Sequence, residues 1–259
     1  MAGSIRLTID HISKTFPIGK SESFKVIDDL SFDAADNEFL VLLGPGHCGK
    51  TVTLNIAAGL EKADAGTVRL DGEVVDRPNS KMGMVFQKVG TFPWLTVLEN
   101  VELGPRFKGE NKADRRKRAE KFIKIVGLQG FEDSYPVQLS GGMKQRVGIA
   151  RAYTNQPEIL IMDEPFGALD AQTRYSMEEE VARIWSQEKR TIIFVTNNIE
   201  EAVYLGDRII LLTECPAKVK AIYQVDLPRP RDMMSPAFLA LRQKISDNTD
   251  FSMEREAEA

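Results

Sequence analysis

Cysteine is nearly missing from this sequence: Cys48 and Cys215 are the only two in 259 residues. So low a content excludes a disulfide framework and fits a reducing compartment. Long apolar runs are missing as well. The longest, at 39–43 and 159–162, fall far short of the ~20 residues that span a bilayer, so a membrane role would have to come through a partner. Residues 1–10 carry one arginine and no apolar stretch of the kind a secretory signal needs. An excess of positive charge is also lacking. Lysine and arginine number 34 against 38 acidic residues, a net −4, which argues against nucleic acid as the main partner. Internal repeats and low-complexity tracts are not seen. What is there is ordinary for a compact globular chain: 42% hydrophobic and 28% charged residues. The length allows one large α/β domain, or a domain with a subdomain.

Short apolar runs rich in β-branched residues recur at 39–43, 82–86, 159–162, 191–195 and 208–212. They show little in/out alternation, as strands covered on both faces do, and helical stretches separate most of them. The first 75 residues differ. Segments 5–12, 24–32 and 67–75 read as strands joined by polar turns, Asp71-Gly72 among them, and predict an antiparallel layer. From 96 to 153 the strand signal gives way to helical signals. Segment 111–126 carries Arg115, Arg116, Lys117 and Arg118 and stops at Gly127, as a helix with a glycine C-cap would. Its basic run reads as a solvated helix face. Prolines break the pattern at 226–236, and the tail from Asp247 is polar and expected to fray.

Directly after the run 39–43 comes Gly44-Pro45-Gly46-His47-Cys48-Gly49-Lys50-Thr51, then a helix-like stretch from Val52 to residue 58. The string fits G-x-x-x-x-G-K-[ST] in its strand-loop-helix context, where backbone N–H groups at a helix N-terminus cradle phosphate oxygens. Lys50 is placed to reach the β- and γ-phosphates and the Thr51 hydroxyl to ligate Mg²⁺. Later the run 159–162 ends in Asp163-Glu164. A carboxylate delivered at a strand end can hold the Mg²⁺ hydration shell, and the next one can polarise an attacking water. Asp163 suits the first role and Glu164 the second.

Leu139-Ser140-Gly141-Gly142-Met143-Lys144-Gln145-Arg146 supplies a second anion site. Ser140 can cap the following helix while Gly141 and Gly142 bare its N-terminal amides. With this string the sequence resembles the ATP-binding cassette family, whose signature helix the stretch 138–152 matches. The resemblance covers nearly the whole chain. It implies an α/β fold: a P-loop NTPase core with a mixed sheet, an N-terminal antiparallel β layer and an inserted helical subdomain. In those terms the core is 1–94 and 154–225, the signature subdomain 95–153 and a C-terminal extension 226–259. It also implies a head-to-tail pair of cassettes, identical or different, with ATP and Mg²⁺ held between the phosphate loop of one copy and the Ser140 segment of the other. Phe16 matches the aromatic that stacks on adenine, ordinary packing being the alternative. Gln87 matches the glutamine that senses Mg²⁺, and Asp170, in the string 168–170, the loop that crosses the dimer interface.

The departures from that resemblance matter as much. Where the family has threonine-histidine-aspartate, this chain has Thr196-Asn197-Asn198. Asparagine donates a hydrogen bond but has shorter reach and no charge, so slow hydrolysis is one expectation. His47 and Val52 also depart from close relatives. His47 reads as an incidental loop residue, a compensating role beside the phosphates being the alternative. A single cassette without membrane spans resembles the ATPase subunit of a bacterial importer, held at the cytoplasmic face by a separate permease served by a solute-binding protein. The strings 92–101 and 225–231 resemble the nitrate, sulfonate, taurine and bicarbonate subgroup. Phe92 and Trp94, in the surface from Gln87 to about Phe107, are the expected permease contact, with subdomain core as the alternative. Two other readings stay open: a regulatory cassette that hydrolyses slowly, and a soluble cassette of DNA repair or translation.

Overall fold

The computed structural model describes residues 4–19, 22–88, 90–167 and 169–249. The chain begins with strands β1 (Ile5–Ile18), β2 (Glu22–Ala35) and β3 (Phe39–Leu43), helix α1 (Lys50–Ala57), and strands β4 (Ala65–Leu70), β5 (Glu73–Val74) and β6 (Met82–Val85). Helices α2 (Val97–Val101), α3 (Leu103–Phe107) and α4 (Lys112–Ile125), a 3-10 turn at Pro136–Gln138 and helix α5 (Gly141–Thr154) follow. The remainder is β7 (Ile159–Asp163), α6 (Ala171–Gln187), β8 (Thr191–Thr196), α7 (Ile199–Leu205), β9 (Arg208–Leu212), β10 (Val219–Gln224) and α8 (Pro236–Thr249). Two compact units result: the described residues up to 78 with those from 191 onward, and residues 79–190.

The first unit holds an antiparallel sheet in the order β2-β1-β4-β5. The run expected at 67–75 is a hairpin that turns at Asp71-Gly72, both residues at positive φ. The same unit carries mixed pairing: β3 is parallel to β8 and to β9, and β10 is antiparallel to β9. Every residue of β3 and β8 is buried, which is why neither shows an in/out alternation in sequence. Strand β10 is a strand the sequence did not signal. The tail also departs from expectation, since Asp247–Thr249 form the last turn of α8, with Phe238 and Ile245 buried beneath the helix. Residues 250–259 of the expected C-terminal extension lie outside the described residues.

In the second unit β6 and β7 pair in parallel. Helix α6 buries Met177, Val181, Ile184 and Trp185, the stripe that a 3.6-residue period produces. Helix α4 begins with an Asn111 side-chain cap on the Ala113 N–H at 2.8 Å. It ends at Gly127 (φ 68), where the Leu128 N–H reaches Ile123 O and the Gly127 N–H reaches Lys124 O, a Schellman closure. Its basic run is not uniformly solvated. Arg115 pairs with Glu102 at 3.4 Å and Arg118 pairs with Glu110 while donating to Thr154 O; Arg116 and Lys117 stay exposed. Among the described residues no helix is long and apolar enough to cross a membrane.

One buried side chain shapes the loop before α2. Asn100 is fully buried; its Nδ2 donates to Phe92 O, Leu95 O and Thr96 O at 2.9–3.2 Å, and its Oδ1 accepts from the Phe92 N–H at 2.8 Å. With the Leu95 N–H on Phe92 O and the Asn100 N–H on Thr96 O, this amide ties the loop's backbone together and holds Phe92 and Trp94 at the surface. Asn100→Ala removes the side-chain partner of the Phe92 N–H and of Leu95 O, and is expected to lower unfolding free energy by about 2–3 kcal/mol, measured by urea denaturation.

Candidate functional site

Register builds the first half of the site. Leu43 at the end of β3 lies opposite Thr196 at the end of β8, so the two loops that follow leave the sheet side by side. The Gly44 N–H donates to Thr196 O at 3.4 Å. The phosphate loop 44–49 and Asn197, distant in sequence, are therefore neighbours in the first unit, with Asn197 exposed.

The loop turns through His47 (φ 63) and Gly49 (φ 101). Gly49 has a double reason to be glycine: its left-handed φ, and a Cβ that would sit 2.9 Å from Val26 O and 3.0 Å from Val26 Cγ1. Around Gly46 the space is open and His47 is exposed, so the loop backbone can be approached closely. Lys50, the first residue of α1 and 4% exposed, donates through Nζ to Gly44 O at 3.0 Å and Pro45 O at 2.6 Å. Its ammonium folds over the loop at the positive end of the helix, and the N-cap Gly49 contributes no side-chain cap. Helix dipole, backbone N–H groups and ammonium thus converge on one concave loop, which fits a polyphosphate. Thr51 is exposed on the first turn and Val52 half-buried behind it. Cys48 is buried, and burial pushes its thiol up against the opposing pull of Lys50. It packs the loop and is no nucleophile.

Phe16 is half-buried near the end of β1, opposite Phe24 in β2. The Lys14 ammonium lies 5.1 Å from its ring centroid, tied to Glu61 Oε1 and Lys62 O, each at 2.7 Å. The ring is therefore fixed in direction and outside the enclosed core, a geometry suited to stacking.

The second unit repeats the register device. Val85 of β6 lies opposite Met162 of β7, so Gln87 and Glu164, just past those strand ends, meet: Gln87 Nε2 donates to Glu164 Oε2 at 3.2 Å. Asp163 is 4% exposed as the last residue of β7, and Glu164 takes a left-handed φ of 40, which turns its side chain away from the strand's alternation. Ser140 Oγ accepts from the Met143 N–H at 3.2 Å and so caps α5. A Cβ on Gly142 would lie 2.7 Å from Thr173 Cγ2, whereas around Gly141 the space is open. Asp170 caps α6 through the Thr173 N–H at 3.0 Å, and that bond holds its carboxyl below the usual range. The N-termini of α5 and α6 therefore lie together. Ala168 of the string 168–170 lies outside the described residues.

Each unit thus gathers its own set: Phe16, the loop 44–52 and Asn197 in one; Gln87, Asp163, Glu164, Ser140, Gly141, Gly142 and Asp170 in the other. Sequence reasoning passed over Asn198, whose Oδ1 caps the N–H groups of Glu200 and Glu201 at 2.8 and 3.3 Å. The spacing of Asn198 and Glu201 is that of a helix N-terminus and carried the signal. Lys14 was missed too, although its position two residues before Phe16 puts both on one strand face.

A sequence profile of the ABC transporter family matches residues 27–167. An uncharacterized ABC transporter ATP-binding protein of Methanocaldococcus jannaschii is 49% identical over 93% of this chain and 90% of its own length. An aliphatic sulfonates import ATP-binding protein of Bacillus cereus is 41% identical over 92% and 94%. A taurine import ATP-binding protein of Rhizobium johnstonii is 40% identical with the same coverage. Among solved structures, a dimeric bacterial ABC transporter cassette superposes with a TM-score of 0.75 at 33% identity, over 85% of this chain and 98% of that one. A dimeric post-hydrolysis cassette bound to ADP and phosphate matches with the same TM-score and coverage at 32% identity.

Gly49→Ala meets both the backbone strain and the Val26 carbonyl. It is expected to cost about 1–3 kcal/mol of stability and to weaken binding of a fluorescent ATP analogue. Gly46→Ala, in open space, is expected to leave the melting temperature unchanged; thermal melts and nucleotide titrations of the two variants check both statements.

Proposed function

The chain belongs to the ABC transporter family of ATP-binding cassettes and is an ATPase of that family, and from this premise we propose that it is the motor subunit of an importer for a small sulfonate-type anion. The observation that carries the ATPase reading is the pair of strand registers that bring the phosphate loop beside Asn197 and Gln87 onto Glu164. The solute class rests on likeness to the sulfonate and taurine import proteins. On this reading the solute itself touches only the permease and a solute-binding protein, and the chain works at the cytoplasmic face of the membrane.

In the proposed cycle the loop amides and Lys50 hold the phosphates, and Phe16 stacks on adenine. Thr51 and Asp163 are the residues that would hold Mg²⁺, with Gln87 as its sensor; the ion supplies charge neutralisation at the phosphates. Glu164, oriented by Gln87, takes the proton of the attacking water. Asn197 donates its amide to the γ-phosphate where a histidine would otherwise stand. The Ser140 segment and Asp170 of a second copy close over the nucleotide, so ATP stabilises the closed pair and its hydrolysis releases it.

The permease surface follows from a groove of about 430 Å³ lined by Met84, Phe86, Phe92, Leu103, Phe107 and Arg151, among others. Trp94 is 70% exposed and packs edge-on against Phe92 at 5.6 Å, so these aromatics are not subdomain core. Arg151 donates to Gly90 O at 2.7 Å and burial pushes its pKa down. An apolar permease segment that places a carboxylate on Arg151 fits that chemistry.

Steady-state phosphate release at high protein concentration tests the motor reading. Wild type is expected to exceed Glu164→Gln by at least about 100-fold. Turnover seen only in Asn197→His would instead make this a nucleotide-gated regulatory cassette. Trp94→Ala is expected to lose co-purification with the permease at unchanged ATP affinity; undiminished complex yield and transport would contradict the docking surface.

A further inference from the structure

The stretch 225–231 drew notice in the sequence only as a likeness, and the ATPase reading leaves it without work. In the structure it is a strap across the end of α7. Arg231 is 7% exposed. Its guanidinium donates to Val203 O and Tyr204 O at 2.9 Å, Gly206 O at 2.6 Å, Val225 O at 3.2 Å and Leu227 O at 3.4 Å. Arg229 adds Leu205 O and Asp207 Oδ1, the latter at 2.8 Å. The two guanidiniums therefore take the four successive carbonyls 203–206, the groups a helix C-terminus leaves unpaired and partially negative.

This is an unusual way to end a helix. The common ending places a left-handed glycine after the last turn and satisfies the carbonyls locally. Here the C-cap Gly206 is extended (φ −71, ψ 144). It is glycine because a Cβ would lie 2.9 Å from Val41 Cγ2 of β3 and from Ala202 O. The carbonyls are left to side chains from a remote segment, at the expense of burying a guanidinium whose pKa desolvation lowers to about 10. What the chain gains is a tie between α7 and its C-terminal segment. That tie has a second strand: Arg242 of α8 pairs with Glu200 in the first turn of α7 at 2.9 Å.

The other end of α7 leads to the active site. Thr196 Oγ1 donates to Glu201 Oε2 at 2.5 Å and accepts from the Asn198 N–H at 3.0 Å, and Asn198 caps the helix. Asn197 is the exposed residue in the middle of this frame. A helix of seven residues is thus gripped at its C-terminus, at its first turn and at its cap. Its orientation sets where Asn197 points.

We propose that Arg231, assisted by Arg229, is a positioning residue for ATP turnover: by clamping the C-terminal end of α7 it aims Asn197 at the phosphate. The inference rests on the reading of Asn197 as the γ-phosphate donor. It makes the C-terminal segment a control point for the motor, because anything that lifts the strap slows hydrolysis while the phosphate loop still binds ATP.

A double-mutant cycle on the full chain tests it, with kcat, KM and Kd for ATP and amide exchange of 197–205 measured for each variant. Arg231→Met is expected to lower kcat about tenfold with Kd changed by less than about twofold, Arg231→Lys to fall between, and α7 amides to exchange faster. On an Asn197→Ala background, itself slow, Arg231→Met is expected to add nothing. Should Arg231→Met fail to fold, Arg231→Lys and the exposed-pair variant Arg242→Gln carry the same cycle. Equal losses of kcat on both backgrounds, or an unchanged kcat despite faster α7 exchange, would overturn the clamp while leaving the role of Asn197 standing. An Asn197→Ala variant with wild-type kcat would instead overturn the reading of Asn197, and the proposal with it.

Discussion

Parallel strand register is the constraint on which the site depends. In a parallel pair the C-terminal ends of both strands face the same way, so whatever follows them is delivered to one edge. Leu43 opposite Thr196 and Val85 opposite Met162 align residues that the chain separates widely. A slip of one residue in either pair would reverse every side chain along the strand, and because β3, β7 and β8 are packed on both faces, each side chain would then meet a neighbour of the wrong shape. Core burial therefore fixes the chemistry, through geometry.

Electrostatics then suits the delivered loop to an anion. No side chain caps α1 at Gly49, whereas Ser140, Asp170 and Asn198 cap α5, α6 and α7. The uncapped helix carries the lysine whose ammonium folds back on its own loop. The capped ones hold loops in place: Asn198 frames Asn197, and Asp170 aligns α6 beside Gly142. A short polar cap thus fixes the start of α5, α6 and α7, while the bare N-terminus of α1 leaves its first amides to a ligand.

Much of this was legible in the residues. Phosphate loop, strand-end carboxylates and signature segment follow from short strings whose spacing is their chemistry, and the unbroken apolar runs place most of the strands. What escaped depends on partners remote in sequence. Strand β10 alternates weakly, with Lys218 and Lys220 breaking the run, and exists because β9 offers it an edge. The polar end of α8 reads as a frayed tail because only Phe238 and Ile245 reveal the buried side. Arg115 and Arg118 read as solvated until Glu102 and Glu110 fold against them. The grip of Arg231 on α7 has no local signature, since its acceptors are backbone carbonyls, which every residue has.

On the proposed reading one ATP is shared by the phosphate loop of one copy and the Ser140 segment of another. Sedimentation velocity of the Glu164→Gln chain, with and without Ser140→Arg, tests it most directly. A dimer is expected with ATP, a monomer with ADP, and a monomer with ATP once Ser140→Arg is added while ATP binding persists. A dimer that forms without nucleotide, or one with ATP that Ser140→Arg leaves intact, would contradict it.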